Sequence, residues 1–555
     1  MRALRIVGIV IGCIVALLIV AVIALQLLVH PNDYKGRIEA AVRSSTGREL
    51  SLPGNIHLQI LPALAVTFGP ATLGNPPGFS SAQPFASIRR ASLRVALLPL
   101  LHRQLDVGRV QIDGLDLRLL ENAQGQGNWS MPAGKTASPQ QSSGSQMTLG
   151  GIAGVVIKDS RVSYQDMAAN HVNVSIGHVG TGVPVPVSWN LDLIPGPGMR
   201  LIPLTGKATL QYDASTARLS GLDARIDNST LRGNAVVTNL TTGAMSFDLA
   251  IDQIDLDRYL PAKAAAHPPA AAAAARAQQP TQVPASALKS LQLHGKLAIG
   301  RAAVYGMKLS QVEVGLAAAG GVLRINPAAA KLYSGSSTGS VTLDARGVVP
   351  VLHLDESLAG VNVQPLLQDF AKLDRVSGRG NVTLNVTAHG NTTAAMLSTL
   401  SGHAAANLTD GAINGLDLWS AINSAVSLVQ KRTVPSGGMG NSTRFDTFKA
   451  SAKLTDGVAS TQDLDIASGD LHVTGQGTAN LVSGAVNYRL NATILKGASA
   501  GALASVPLLI GGTMSSPTVR PDTQALVKSV ARQQLQKHKG QIENKVRNVL
   551  KGLIH

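Results

Sequence analysis

The residues best placed to do chemistry are few, and each is set in a pattern that argues against it. Gly335-Ser336-Ser337-Thr338-Gly339 matches G-x-S-x-G, the turn that presents a nucleophilic serine. That turn needs a strand before it and a helix after it. Here Ser340-Val341-Thr342-Leu343-Asp344 comes next and alternates like a strand, so a catalytic Ser337 is not expected. Asp255 and Asp257 sit two apart and share a face on a strand, which reads as a solvated edge or turn rather than an acid–base pair. The 13 histidines are scattered, with no pair at metal-ligand spacing and no H-E-x-x-H. The one cysteine, Cys13, lies in an apolar run, which leaves no disulfide. There is no phosphate loop and no dinucleotide fingerprint. Triplets such as Asn381-Val382-Thr383, Asn407-Leu408-Thr409 and Asn491-Ala492-Thr493 fit glycosylation acceptors, but read more simply as the polar half of alternating strands. The expectation is a protein that is not an enzyme, with no cofactor and no metal.

The elements around these residues are more informative. Residues 6–29 form 24 uncharged positions interrupted by one polar side chain, Gln26. As a helix they span roughly 36 Å against a hydrocarbon core of about 30 Å, so residues 1–30 are expected to be a transmembrane anchor. A cleaved secretory signal would have a shorter apolar region, and Val22-Ile23-Ala24 is a poor cleavage site. Val10-Ile11-Gly12-Cys13 loosely fits a lipidation box, but the apolar run continues well past Cys13. Lys and Arg counts on the two flanks do not decide orientation.

Aromatic residues are 3% and charged residues 14%, against a usual quarter or so for charge. The net charge is +16. Basic excess fits nucleic acid, an anionic membrane or mere solubility. No stacking aromatics are interleaved with the basic residues, so nucleic acid is not an expected partner.

After the anchor, residues 34–46 read as a short helix ending at Gly47, with Ile38, Ala41 and Val42 on one face. From Ile56 onward the pattern has period two, broken by Gly, Asn and Asp. Val110 and Ile112, then Leu115, Leu117 and Leu119 show it, as do Val382, Leu384 and Val386. Two low-complexity segments, 133–147 and 262–287, divide this into blocks 31–132, 148–261 and 288–520, with 521–555 beyond. The endings Val110-Gln111-Ile112-Asp113-Gly114-Leu115, Val304-Tyr305-Gly306-Met307 and Ile413-Asn414-Gly415-Leu416 repeat weakly, which argues for an elongated repeat architecture. Two helical insertions are expected. One covers 364–373. The other covers 418–431, with Trp419, Ile422, Val426 and Val429 on one face, either packed on the sheet or covering a groove.

The fold class is therefore mainly β: a transmembrane helix, then an elongated, mostly antiparallel sheet with one apolar face, a few amphipathic helices and a basic C-terminal helix. If the sheet curls into an open groove, Val382, Leu384, Val386, Leu471 and Val473 line it. The helix 523–555 carries Val527, Val530, Ala531, Leu535, Ile542, Val546, Val549 and Leu553 on its apolar stripe. Lys528, Arg532, Lys537, Lys539, Lys545, Arg547 and Lys551 populate the rest, suiting either an anionic membrane surface or a solvated face.

The chain also resembles the AsmA family. The resemblance rests on Tyr34-Lys35-Gly36-Arg37-Ile38-Glu39 and Thr46-Gly47-Arg48-Glu49-Leu50, then Leu98-Pro99-Leu100-Leu101 and Gly127-Asn128-Trp129. It continues in Asp255-Leu256-Asp257-Arg258-Tyr259-Leu260, Thr443-Arg444-Phe445-Asp446, Gly511-Gly512-Thr513 and Pro517-Thr518-Val519-Arg520-Pro521-Asp522. The order of these pieces carries it, not any one of them. It implies an inner-membrane-anchored protein of outer-membrane biogenesis, with a cytoplasmic N-terminus and a periplasmic bulk. It also implies a likeness to bridge-like lipid-transfer proteins, whose apolar groove carries phospholipid acyl chains, and hence a partner at the outer membrane. The alternative is a non-enzymatic scaffold that assists outer-membrane protein targeting and insertion.

Overall fold

The protein was analysed as a computed structural model that describes residues 31–59, 64–80, 82–95, 104–122, 126–129, 148–180, 182–197, 199–240, 242–259, 288–289, 291–430, 442–495, 505–528 and 531. The expected anchor and both low-complexity segments lie outside the described residues. Among the described residues no helix is long and apolar enough to cross a membrane. The fold is mainly β. It divides into two units, Met1–Asp252 with Arg258–Lys263, and Gln253–Asp257 with Ala264–His555.

The first unit opens with a 3-10 turn, Pro31–Tyr34, and helix α1 (Lys35–Thr46). Gly47 ends α1 in the left-handed conformation at φ 70°, as the sequence predicts, donating its N–H back to Arg43. Short strands come next: β1 (Leu50–Ser51), β2 (His57–Gln59), β3 (Leu64–Phe68), β4 (Ala71–Leu73), β5 (Ala86–Ile88) and β6 (Arg90–Val95). Then come β7 (Gln104–Asp113), β8 (Asp116–Leu119) and the 17-residue β9 (Thr148–Tyr164). These form two ladders, β2–β3–β6–β7 and β1–β4–β5–β8, and each joins β9 through a parallel pairing. The blocks on either side of residues 133–147 therefore share one sheet.

From β9 the chain is an antiparallel meander: β10 (Met167–Ile176), β11 (Val185–Ile194), β12 (Ile202–Tyr212), β13 (Ala217–Ile226), β14 (Ser229–Asn239) and β15 (Ala244–Asp255).

The second unit continues the theme with β16 (Leu293–Val304), β17 (Met307–Ala319), β18 (Val322–Leu332), β19 (Gly335–Asp344) and β20 (Val351–Asn362). Helix α2 (Val363–Ala371) leads to β21 (Val376–His389), and α3 (Thr393–Ser398) leads to β22 (Ser401–Asn414). Helix α4 (Leu418–Gln430) precedes β23 (Ser442–Thr455), β24 (Val458–Ala467), β25 (Leu471–Asn480), β26 (Val486–Ile494), β27 (Ser505–Thr513) and β28 (Ser516–Pro521). Each strand pairs antiparallel with the next.

Turn chemistry sets this register. Tyr305-Gly306, Gly320-Gly321, Tyr333-Ser334 and Asp456-Gly457 each have positive φ at both central residues, the geometry that matches strand twist in two-residue hairpins. Asp257 adds to one of them: its carboxylate accepts the Tyr305 and Gly306 N–H groups at 2.6 and 2.8 Å. It belongs to a turn, and Asp255 ends β15.

Register shifts recur beside single positive-φ residues, at His171, Gly221, Gln311, Gly360 and Asp410. Such bulges raise local twist and curl a sheet. The curl is measurable in the second unit. Between β21 and β27 lie six pairings, about 29 Å if flat. Yet Arg375, just before β21, donates from Nη2 to the Ser515 carbonyl after β27 at 2.6 Å.

The inside of that curl holds the unit's core. Leu418, Ile422 and Ala425 of α4 are essentially fully buried, as are Val473, Ala492, Val506 and Leu508 beneath it. Thr443 anchors the start of α4, accepting from Leu418 N–H and donating to the Leu416 carbonyl. The buried stripe is Leu418, Ala421, Ile422 and Ala425, with Trp419 and Val426 only partly buried. Of the expected stripe, Ile422 is buried and Trp419 and Val426 pack against the core, while the Val429 side chain lies outside the described residues.

Candidate functional site

Direct cross-strand partners project to the same face, so register alone defines what each face carries. In the first unit one row runs Phe68, Ala91, Ile112, Ile157, Val174, Trp189, Gly206, Ala224, Leu231, Ile251. It crosses ten strands, about 43 Å, without one polar side chain. Gly206 is required there, since a Cβ would collide with the Trp189 indole lying over it. Most of the row is only half-buried.

The second unit repeats the arrangement. A row of Gly295, Leu316, Ile325, Val341, Leu354, Val386, Gly402, Leu454, Ala459, Ala479 and Val486 crosses β16 to β26 with no polar side chain. The neighbouring row, Leu297, Val314, Ala328, Gly339, Glu356, Leu384, Ala404 and Ala452, carries one charge. That charge, Glu356, accepts the Ser337 hydroxyl at 2.6 Å. The sequence signal was available, because Glu356 has the same parity as Leu354 and Leu358. The opposite face is polar: Asp355, Asn385, His403 and Lys453 pair in succession on adjacent strands.

The face changes character along the unit. Leu297, Val314, Ile325, Val341, Leu354, Leu358, Val382 and Leu384 are half-buried. Beyond them α4 and Leu526 close the same face into a buried core. Of the residues singled out from sequence, Val382 and Leu384 are half-buried, Val382 packing against the edge of that core, and Val386 lies on the same face at 5% exposure. Leu471 and Val473 share the face but sit in the closed core, at 3% and 0%. Thr383 and Asn385 point to the opposite side and are exposed.

A cavity of about 520 Å³ lies at the start of the first unit. Leu58, Val66 and Phe68 form one wall, and Leu50, Leu73 and Ile88 another. Pro31, Tyr34 and Ile38 of the opening turn and α1 form the third. The lining holds no charged residue. The cavity was not foreseen, since strands of two to five residues are too short to show a period. Beside it lies a buried polar node. Asn128 is fully buried, accepting from Leu120 N–H and donating to Asn75 and to the Arg118 carbonyl. Arg48, at 6% exposure, donates to the Asn128 carbonyl at 2.6 Å and stacks 4.4 Å from the Phe85 ring centre. Burial pushes its guanidinium pKa down.

Ser337 lies inside β19, with strand on both sides. Asn381, Asn407 and Asn491 all lie on strands. Among the described residues no group of three or more His, Cys, Asp or Glu side chains is placed to hold a metal. In the basic tail, Lys528 is exposed, while Arg532, Lys537, Lys539, Lys545, Arg547 and Lys551 lie outside the described residues. The expected stripe is corrected at its start: Val527 is 69% exposed and Leu526 is buried. Asp522 sets this phase, taking Ala525 N–H on its carboxylate and Leu526 N–H on its carbonyl.

These features define a class: a β-protein of long meandering sheets, each with an apolar face of many strands. A family model described as "AsmA family" matches residues 1–186 and 201–464, and the chain belongs to that family. It is 23% identical to Protein AsmA of Escherichia coli (strain K12) over 541 residues, covering 87% of each chain. No solved structure matches.

Proposed function

We propose that this protein holds or moves phospholipid along the apolar faces of its sheets, acting without catalysis as an inner-membrane-anchored, periplasmic member of the AsmA family in outer-membrane biogenesis. One observation carries the reading: apolar rows of ten and eleven strands, in register, left half-buried over most of their length. A sheet face of that composition must be covered by something, and contiguous exposed apolar surface marks a binding or membrane site. Acyl chains are suited to it because dispersion and hydrophobic contacts are non-directional and let a chain slide.

Photo-crosslinking side chains at Val382, Leu384 and Val386 test it in cells, with Thr383 and Asn385 as opposite-face controls. Phospholipid attached to the first set alone supports a lipid-bearing face. Adducts on neither set, or equally on both, would sink it. The second reading is a scaffold for outer-membrane protein targeting and insertion, favoured by the closed core under α4. On that reading, crosslinks at the same positions capture polypeptide instead of lipid.

A further inference from the structure

The two apolar rows of the second unit carry one charge between them, Glu356 of β20. We propose that Glu356 selects among phospholipids by head group, pairing with the ammonium of a zwitterionic lipid and repelling a net-anionic one. This rests on the lipid-handling reading above and adds a substrate class to it.

Stability does not account for this carboxylate. Glu356 is half-buried on the apolar face. Leu354 and Leu358 flank it on its own strand, Leu384 is its direct partner on β21, and Val382 and Val386 are its diagonal neighbours there. An ionised carboxylate accepts at about four sites. Among the described residues Glu356 takes one hydrogen bond, from the Ser337 hydroxyl to Oε1 at 2.6 Å, and forms no ion pair. A charge held this way costs more than an apolar side chain of the same size.

The sequence around it nevertheless makes room for it. Gly339 is the direct partner of Glu356 on β19, and a Cβ there would lie 2.6 Å from Glu356 Oε2. The G-x-S-x-G stretch therefore serves the carboxylate: Ser337 holds one oxygen and Gly339 gives the other its clearance. An ammonium supplies what Oε2 lacks, N–H donors and the opposite charge, and such charge-assisted bonds are about twice as strong as neutral ones. A net-anionic head group brings a phosphate with no ammonium, and like charges set side by side are unfavourable. A lipid whose tail rests on Leu354, Leu358 and Leu384 passes its head group close to this carboxylate.

The test uses the full-length protein in its native membrane, with a photo-crosslinking side chain at Val382 or Leu384. The head groups of the attached phospholipids are identified by mass spectrometry and compared with the membranes of the same cells. The ratio of ammonium-headed to net-anionic lipid should be about tenfold higher in the adducts than in those membranes. Glu356→Gln keeps the side chain's size and an acceptor for Ser337, and should return the ratio to that of the membranes. Glu356→Lys should tip it toward net-anionic lipid. Wild-type adducts that match the membranes overturn head-group selection and leave the wider reading standing, as does a Glu356→Gln variant with the wild-type ratio. No lipid at either position, or polypeptide in its place, overturns both.

Discussion

At the scale of single residues, the groups that look chemical turn out to hold turns and caps. Asp213 closes the turn between β12 and β13. Its carboxylate accepts from Ser215 and Thr216 N–H groups at 2.8 Å each and from the Thr216 hydroxyl at 2.7 Å. The Thr216 hydroxyl bond is the largest cause holding its pKa below the usual aspartate range. A lowered folded-state pKa gives stability that is present above the unfolded value of about 3.9 and is lost as pH falls through the folded value. Asp213→Ala should therefore lower the urea midpoint at pH 7, and the difference from wild type should shrink as the pH is taken below about 3.9. A difference independent of pH would remove the ionised carboxylate from the account. Tyr333 shows the opposite sign: burial, then its bond to Asp369 at 2.7 Å, pushes its phenol up to about 12. Thr443 is a buried hydroxyl, at 2% exposure. Thr443→Val leaves the Leu418 N–H unpaired in a buried site, at a cost of about 1–3 kcal/mol by chemical denaturation.

At the scale of elements, period-two alternation was legible wherever strands were long. Val382, Leu384 and Val386 share one face, with Thr383 and Asn385 on the other, as the sequence predicts. Helix α1 and its glycine stop were legible too. The repeated endings at Gly114, Gly306 and Gly415 mark positive-φ glycines, at 66°, 82° and 74°, where a strand stops. The type of the next element was not legible: it is β8 after the first, β17 after the second and α4 after the third. The local signal fixes the stop, and packing decides the next element. Nor could the sequence tell that Leu471 and Val473 are fully buried while Val382 is only partly so, because the residues that close the core include α4 and Leu526, over 40 positions away. The contrast yields a prediction. Ile422→Ala in α4 empties a site at 1% exposure and should cost about 2–5 kcal/mol. Val382→Ala, on the half-exposed part, should cost less, since less surface there is removed from water. Equal losses in a denaturant titration would mean that the two parts of the face are equally closed.

For the whole molecule the question is whether the apolar rows act as a path or as separate surfaces. A path has a kinetic signature that a scaffold lacks: steps in series limit one another. A lysine in hydrocarbon costs about 2.5–3.5 kcal/mol, which as a barrier slows passage roughly 100-fold. Val174 lies in the first unit's row and Ile325 in the second's, and both are half-buried, so lysine at either can fold with its ammonium directed to water. On the path reading, Val174→Lys and Ile325→Lys each abolish most lipid delivery to the outer membrane, and the double variant is little worse than the slower single one. Ser188→Lys and Thr383→Lys, at exposed positions on the opposite face, leave delivery intact. On the scaffold reading, the two blocks damage different contact surfaces and their effects multiply. Pulse-labelled phospholipid followed into the outer membrane distinguishes these outcomes. A multiplicative double variant would mean that the two apolar faces, alike as they are residue by residue, do not serve one continuous route.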